Sequence, residues 1–182
     1  MSTVHDASRN TEGNYKDAVS QFVAFLWPHA VAVREKGKPI NVRAVVAQAG
    51  LESGWGRSYL ARAANNFFGI KAGKSWKGPT VELWGSEFGP GGYRRERFRW
   101  RRYASPMECL EDYTNIISGL PWFRDCLPHA DPPLGDGDAT RWFAALLPRP
   151  GEPGWATDPK YFRKLISVLN QVDAVRSEIG LK

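Results

Sequence analysis

A chain of 182 residues with 42% hydrophobic content, eight Trp, nine Phe and six Tyr can bury one sizeable core and lies in the single-domain range. Its formal charge of +6 favours an anionic partner, which leaves nucleic acid, an acidic membrane surface and a carboxylate-bearing polymer such as peptidoglycan all open. No run reaches the roughly 18 apolar residues of a membrane-spanning helix, and the opening MSTVHDASRNTEGN has no apolar h-region, so the sequence predicts a soluble protein made in the cytoplasm without a signal peptide.

Residues 1–13 are polar and aperiodic and read as a loose tail. A first helix is expected from about Tyr15, carrying Phe22, Phe25, Leu26 and the Val31/Val33 region, with a kink or break at Pro28 and an end at EKGKP. After Pro39, the residues Val42, Val45, Val46 and Ala49 follow the i, i+3, i+4, i+7 spacing of an amphipathic helix. Glu52 comes seven positions after Val45, four after Gln48 and three after Ala49, which puts it on the same face, pointing inward. Gly54 and Gly56 let that helix stop, and GRSYLARAANN reads as a further helical segment ending at Asn65-Asn66.

From Thr80 the texture changes to strand: TVELWGSEF, the turn GPGG, then YRRERFRWRRY, which together predict a β-hairpin. On its second strand Arg95, Arg97, Arg99 and Arg101 share one face, which serves either as a solvated surface or as an anion contact. Ser105-Pro106-Met107-Glu108 is a capping box that starts a helix bearing Met107, Leu110, Tyr113, Thr114 and Ile117 and ending near Gly119-Leu120-Pro121. PHADPPLGDGDA is a loop, TRWFAALL a short helix and PRPGEPG another loop. Asp158-Pro159 caps a last helix with a core stripe of Phe162, Leu165, Ile166, Leu169 and Val172. Helices with one inserted hairpin make an α+β domain, mostly α.

Three scattered histidines, His5, His29 and His129, have no ligand spacing, and neither Cys109 nor Cys126 has a nearby histidine. The two cysteines read as semi-buried thiols or as one pair, and no cofactor or metal is expected. Carboxylates remain. Glycoside hydrolysis uses one carboxylic acid kept protonated and usually a second, ionised carboxylate. Burial against Val45 and Ala49 would raise the pKa of Glu52 and suit it to the first role. Glu87, on a glycine-flanked strand end, suits the second, although the pattern barely separates it from Glu82. A purely structural Glu52, paired with an arginine, stays open at this level.

The blocks AQAGLESGWGRS, NNFFGIKAGKSWKGP, the Ser86-Glu87-Phe88 triplet, WRRYASPMECLEDY and WATDPKYFRKL occur in one order over roughly residues 20 to 172. Together they resemble the bacterial peptidoglycan hydrolases of glycoside hydrolase family 73. The resemblance implies a lysozyme-like fold with a small hairpin lobe, a hydrolase domain over residues 14–182, and cleavage of the β-1,4 bond between N-acetylglucosamine and N-acetylmuramic acid. It carries Glu52 over as general acid and Glu87 as the second carboxylate. Where the family's last block begins with Tyr, this chain has Trp155, so Tyr161 becomes the candidate for the aromatic hydroxyl near the cleavage point, beside an equal reading as core. Asn66, Phe68 and Lys71 from the second block, with Trp76, Trp84 and Trp155, are candidates to hold the sugars.

Family members that serve the flagellar rod carry a rod-binding domain, and here a short tail stands in its place. The expectation is therefore a monomeric enzyme acting on peptidoglycan glycan strands, with neither nucleic acid nor membrane as partner. It would reach the periplasm or cell wall through a type VI or similar secretion machine or by phage lysis, and the antibacterial effector is favoured over the lysin. An effector implies a cognate, acidic immunity protein. The alternatives are a muramidase or lytic transglycosylase on the same fold, and a non-catalytic basic module that binds wall or nucleic acid through its arginine strand.

Overall fold

The computed structural model describes the backbone of residues 6–89 and 92–181 and the side chains of residues 14–84 and 96–181. Helix α1 (Asp6–Glu35) is followed by α2 (Val42–Ser53), α3 (Tyr59–Ala64), strands β1 (Thr80–Gly89) and β2 (Gly92–Arg101), then α4 (Pro106–Gly119), a 3-10 helix (Pro121–His129), α5 (Ala139–Ala145) and α6 (Tyr161–Glu178). The α+β, mostly α architecture with one hairpin is as expected from the sequence. None of the described helices is long and apolar enough to cross a membrane.

Helix α2 is the axis of the fold. Val42, Ala44, Val45, Val46, Ala47, Gln48, Ala49 and Gly50 are all buried, so it is covered on every side, with α1, α5 and α6 packed around it. The amphipathic stripe expected from the sequence is thus too narrow: alanines and a glycine fill the rest of the circumference and let neighbours approach closely. Its start is well anchored. Fully buried Asn41 accepts the Ala44 N–H at 3.0 Å and donates to the His129 carbonyl at 2.8 Å, while Asp131 accepts the Val42 N–H at 3.0 Å.

Helix α1 departs from expectation twice. Its backbone is already helical at Asp6, ahead of Tyr15, so the loose-tail reading does not hold for Asp6–Gly13; residues 1–5 lie outside the described residues. It also runs through Pro28 as one element. A proline removes one ladder bond, but Val23, Leu26, Trp27, Ala30 and Val33 are buried on both sides of it, and that packing holds the helix together. Of the apolar residues of this helix, Phe22 and Leu26 are buried and Phe25 is exposed.

The hairpin pairs antiparallel from Thr80 with Arg101 to Gly89 with Gly92. It is sewn to the body at its base: Arg101 N–H to the Ile70 carbonyl at 3.0 Å, Ala72 N–H to the Arg99 carbonyl at 2.8 Å, and Arg102 N–H to the Pro79 carbonyl at 3.0 Å. At α4, Ser105 Oγ accepts the Glu108 N–H at 3.2 Å, but the Glu108 carboxylate reaches the N–H of Ala104 rather than that of Ser105, at 2.8 Å. In α6 the buried stripe is Tyr161, Leu165, Val168, Leu169, Val172 and Val175, with the expected Phe162 and Ile166 half-buried beside it. Cys109 and Cys126 are both buried free thiols, and burial pushes both thiols up out of the reactive range.

Candidate active site

Why Ser-Gly-Trp-Gly follows Glu52 is a matter of how α2 ends. Gly54 sits in the left-handed region at φ +58 and its N–H returns to the carbonyls of Gly50 and Leu51. Trp55, itself at φ +59, bonds through its N–H to the Gly50 carbonyl at 2.8 Å and lays its ring on Gly50, where an added Cβ would lie 2.6 Å from Cζ3. Its indole N–H donates to Tyr15 Oη at 3.0 Å. Ser53 Oγ donates to the Ala49 carbonyl at 2.6 Å and accepts the Gly56 N–H at 2.8 Å. The turn locks the last turn of α2, and with it Glu52, from behind.

In front of Glu52 is an open groove of about 570 Å³ lined by Phe68, Gly69, Ile70, Trp100, Ile116, Trp122, Phe123, Pro153, Gly154, Trp155 and Ala156. Among the described residues, Glu52 is the one titratable member of that lining. Behind it, Tyr161 donates its hydroxyl hydrogen to Glu52 Oε1 at 2.6 Å. Burial pushes the Glu52 carboxyl above the ordinary glutamate range; the Tyr161 hydrogen bond and, more weakly, the charge of Lys164 act against it. A carboxyl in that setting keeps its proton to higher pH than an exposed one and can deliver it into the groove. A concavity of similar size, about 540 Å³, lies beside Phe22, Phe25, Trp55 and Phe67 but has no carboxylate in its lining among the described residues.

The sequence candidates divide. Phe68 and Trp155 line the groove. Trp155 lies within an aromatic cluster, its ring centroid 5.1 Å from Tyr113 and 5.9 Å from Phe123. Tyr161 is buried at 4% exposure, so it touches Glu52 and not the open groove. Asn66 is a correction: at 1% exposure it spends its amide on the Ile70 and Arg101 carbonyls and the Ile70 N–H, so it braces the loop that forms one wall instead of meeting a ligand.

Trp76 is half-buried outside the groove lining: its N–H donates to the Pro79 carbonyl, and its ring packs on Tyr103 and carries the Arg101 guanidinium. Lys71 stands over the rings of Phe98 and Trp100, next to the groove. Trp84 is exposed on β1 under Arg97, away from the groove lining. Glu82 pairs with Arg97 at 3.6 Å. Glu87 lies on β1 opposite Arg94, and its side chain lies outside the described residues, as does that of Arg95.

The basic strand face is also less free than it reads in the sequence, because Arg101 is turned into Asp112, which also accepts the Tyr103 hydroxyl. Sequence reasoning missed Trp100 and Trp122 in the lining and Gln48 and Tyr113 behind it. For Gln48 a signal existed: it is a lone amide four residues before Glu52 in an otherwise apolar run. For Trp100 the signal was the even-numbered face of β2, opposite the arginines, which carries Phe98 and Trp100.

A carboxyl held towards its protonated form at the end of a buried helix, opening on an aromatic cleft, is the equipment of a glycoside hydrolase, and that is the class of this domain. The chain belongs to the glucosaminidase family, whose model, described as mannosyl-glycoprotein endo-beta-N-acetylglucosaminidase, matches residues 27–174. It is 31% identical over 176 residues to the peptidoglycan hydrolase FlgJ of Escherichia coli K12, covering 92% of this chain and 52% of that protein. It is 31% identical over 158 residues to the exo-glucosaminidase LytG of Bacillus subtilis, covering 86% and 52%. The chain thus spans about half the length of these relatives. Among solved structures, a C-terminally truncated glycoside hydrolase domain of Salmonella typhimurium FlgJ superposes with a TM-score of 0.66 at 32% identity, covering 86% of this chain and 98% of that one. A peptidoglycan hydrolase mutant from Sphingomonas sp. A1 gives 0.68 at 30%, covering 90% and 99%.

Proposed function

We propose that the protein is an endo-β-N-acetylglucosaminidase that hydrolyses the β-1,4 bond between N-acetylglucosamine and N-acetylmuramic acid in peptidoglycan, with Glu52 as general acid. The observation that carries this is Glu52 itself: a carboxyl pushed up by burial, one oxygen tied to Tyr161, at the edge of an aromatic-lined groove. The flat faces of Trp100, Trp122 and Trp155 suit sugar rings. Glu52 protonates the leaving glycosidic oxygen as the C–O bond breaks, and Glu87 on β1 takes the proton of the attacking water.

Digestion of purified peptidoglycan followed by mass spectrometry tests the bond. Products ending in reducing N-acetylglucosamine are expected. Reducing muramic acid ends would make the enzyme a muramidase, and anhydro ends a lytic transglycosylase. The proposed setting is delivery into a target periplasm as an antibacterial effector, held in check by an acidic immunity protein that plugs the groove; the net charge of +6 is its support. Lysis on expression with a periplasmic signal, and none on cytoplasmic expression, is the expected outcome, and harmless periplasmic expression would remove the effector role.

A further inference from the structure

Four helices each send one polar side chain into the core behind Glu52. Trp142 from α5, at 0% exposure, donates its indole N–H to Tyr113 Oη at 3.4 Å. Tyr113 from α4 donates to Gln48 Oε1 at 2.6 Å, Gln48 from α2 donates through Nε2 to Tyr161 Oη at 3.1 Å, and Tyr161 from α6 donates to Glu52 Oε1 at 2.6 Å. An amide without exposure and two buried phenols are costly in a core unless each bond is made.

We propose that this chain is a one-way line of donors that fixes the Tyr161 hydroxyl as donor to Glu52 Oε1, so that the acid proton sits on Oε2 and is presented to the groove. Gln48, Tyr113 and Trp142 are then positioning residues for the proton transfer, acting through Tyr161. The inference rests on the reading of Glu52 as general acid.

The direction follows from chemistry. An indole N–H donates and never accepts, so the Tyr113 oxygen is occupied as an acceptor and its hydrogen goes to Gln48 Oε1. That orients the amide, whose NH₂ must face Tyr161 and fills a lone pair there, leaving the Tyr161 hydrogen for Glu52. If the line ran the other way, the ionised Glu52 left after proton transfer would meet the lone pairs of Tyr161 with no donor. Burial pushes both phenols well up, so both keep the hydrogens the line needs. Among the described residues, the groups that bear on the charge of Glu52 are Tyr161 and Lys164 from α6 and Tyr113 from α4.

Without Gln48 the Tyr161 hydroxyl can rotate and accept the proton of Glu52. That stabilises the protonated acid in an orientation turned away from the groove. Gln48→Met and the near-isosteric Tyr113→Phe are the variants, read by the pH profile of kcat, by NMR titration of the Glu52 carboxyl carbon, and by thermal unfolding. Expected for Gln48→Met is a fall in kcat of about ten- to a hundredfold with KM little changed, and a Glu52 titration and alkaline limb moved to higher pH. Tyr113→Phe should move both the same way by less, and decides the matter if Gln48→Met does not fold. A Glu52 titration and alkaline limb unmoved in the folded variants, with Glu52→Gln inactive, overturns the line of donors while the general acid stands. Wild-type turnover in Glu52→Gln overturns both.

Discussion

The helical wall behind Glu52 and the hairpin lobe are built on opposite terms. In the wall, Gln48, Tyr113, Trp142 and Tyr161 are buried and hydrogen-bonded to one another. On the hairpin, Trp84 is exposed, Glu82 and Arg97 form a solvent-facing pair, and the described ties to the body gather at the base around Ile70, Ala72, Pro79 and Asp112. Buried, satisfied networks open with the whole fold, while elements held by few buried contacts open locally at lower cost. The wall therefore suits a group that must hold one geometry, and the hairpin a lobe that moves over a polymer threaded beside it.

The largest expected effect lies in the wall. Glu52→Gln should lower turnover on peptidoglycan by at least about a hundredfold, because the amide keeps the shape and cannot act as the acid; retention of more than a few per cent would end the assignment. The same variant gives a stability signature. Since burial raises the Glu52 pKa, the folded protein holds that proton more tightly than the unfolded chain, and stability falls as pH climbs from about 4.3 through the raised value. Glu52→Gln escapes this loss, so it should melt above wild type at pH 8 and level with it near pH 3.

On the hairpin the expected effects are smaller and discriminate between two glutamates. Glu87→Gln should cut turnover strongly, though less than Glu52→Gln, because the acetamido oxygen of the substrate can partly replace the base. Glu82→Gln, whose carboxylate already faces Arg97, should stay near wild type. Wild-type activity in Glu87→Gln with loss in Glu82→Gln would move the second carboxylate from position 87 to position 82, nearer the start of β1 and onto the other face of the strand.

Smaller again is a pure packing effect. Gly50→Ala puts a methyl into the Trp55 ring, and overpacking of this kind costs about 1–3 kcal/mol. A lowered melting temperature is expected, along with reduced turnover because Glu52 lies half a turn away. An unchanged melting temperature would mean that Trp55 does not hold the end of α2.

How far the sequence could be read follows the same division. The period of Val42, Val45, Val46 and Ala49 places Glu52 on an inward face, and alternation with GPGG places the hairpin, because both signals are local. The continuation of α1 through Pro28 is invisible locally, since it depends on Leu26, Trp27 and Ala30 finding a core assembled from distant helices. Asn66 and Trp76 look like ligands in the sequence because polar and amphipathic side chains there have no visible partner. The structure supplies the partners as backbone carbonyls at Ile70, Arg101 and Pro79. Gln48 was legible as an oddity, but its use depends on Tyr113 and Tyr161, which are 65 and 113 positions away.

The smallest effect concerns the charge on the hairpin. Screening shrinks from about 30 Å at 0.01 M salt to about 3 Å at 1 M, so retention on purified peptidoglycan, whose stem peptides carry carboxylates, should weaken by a few-fold across that range. The arginines should not contribute equally. Arg101 is neutralised by Asp112, with side chains only 16% and 18% exposed, and Arg97 is partly balanced by Glu82. Arg99 is exposed and makes a long 3.4 Å contact to the Thr80 hydroxyl, with no carboxylate partner among the described residues. Arg99→Ala should therefore flatten the salt dependence more than Arg97→Ala, and Glu82→Gln should steepen it by releasing Arg97. A pull-down that is unchanged between low and high salt would show that the strand's charge faces solvent alone, and would leave the aromatic groove to bind the glycan by itself.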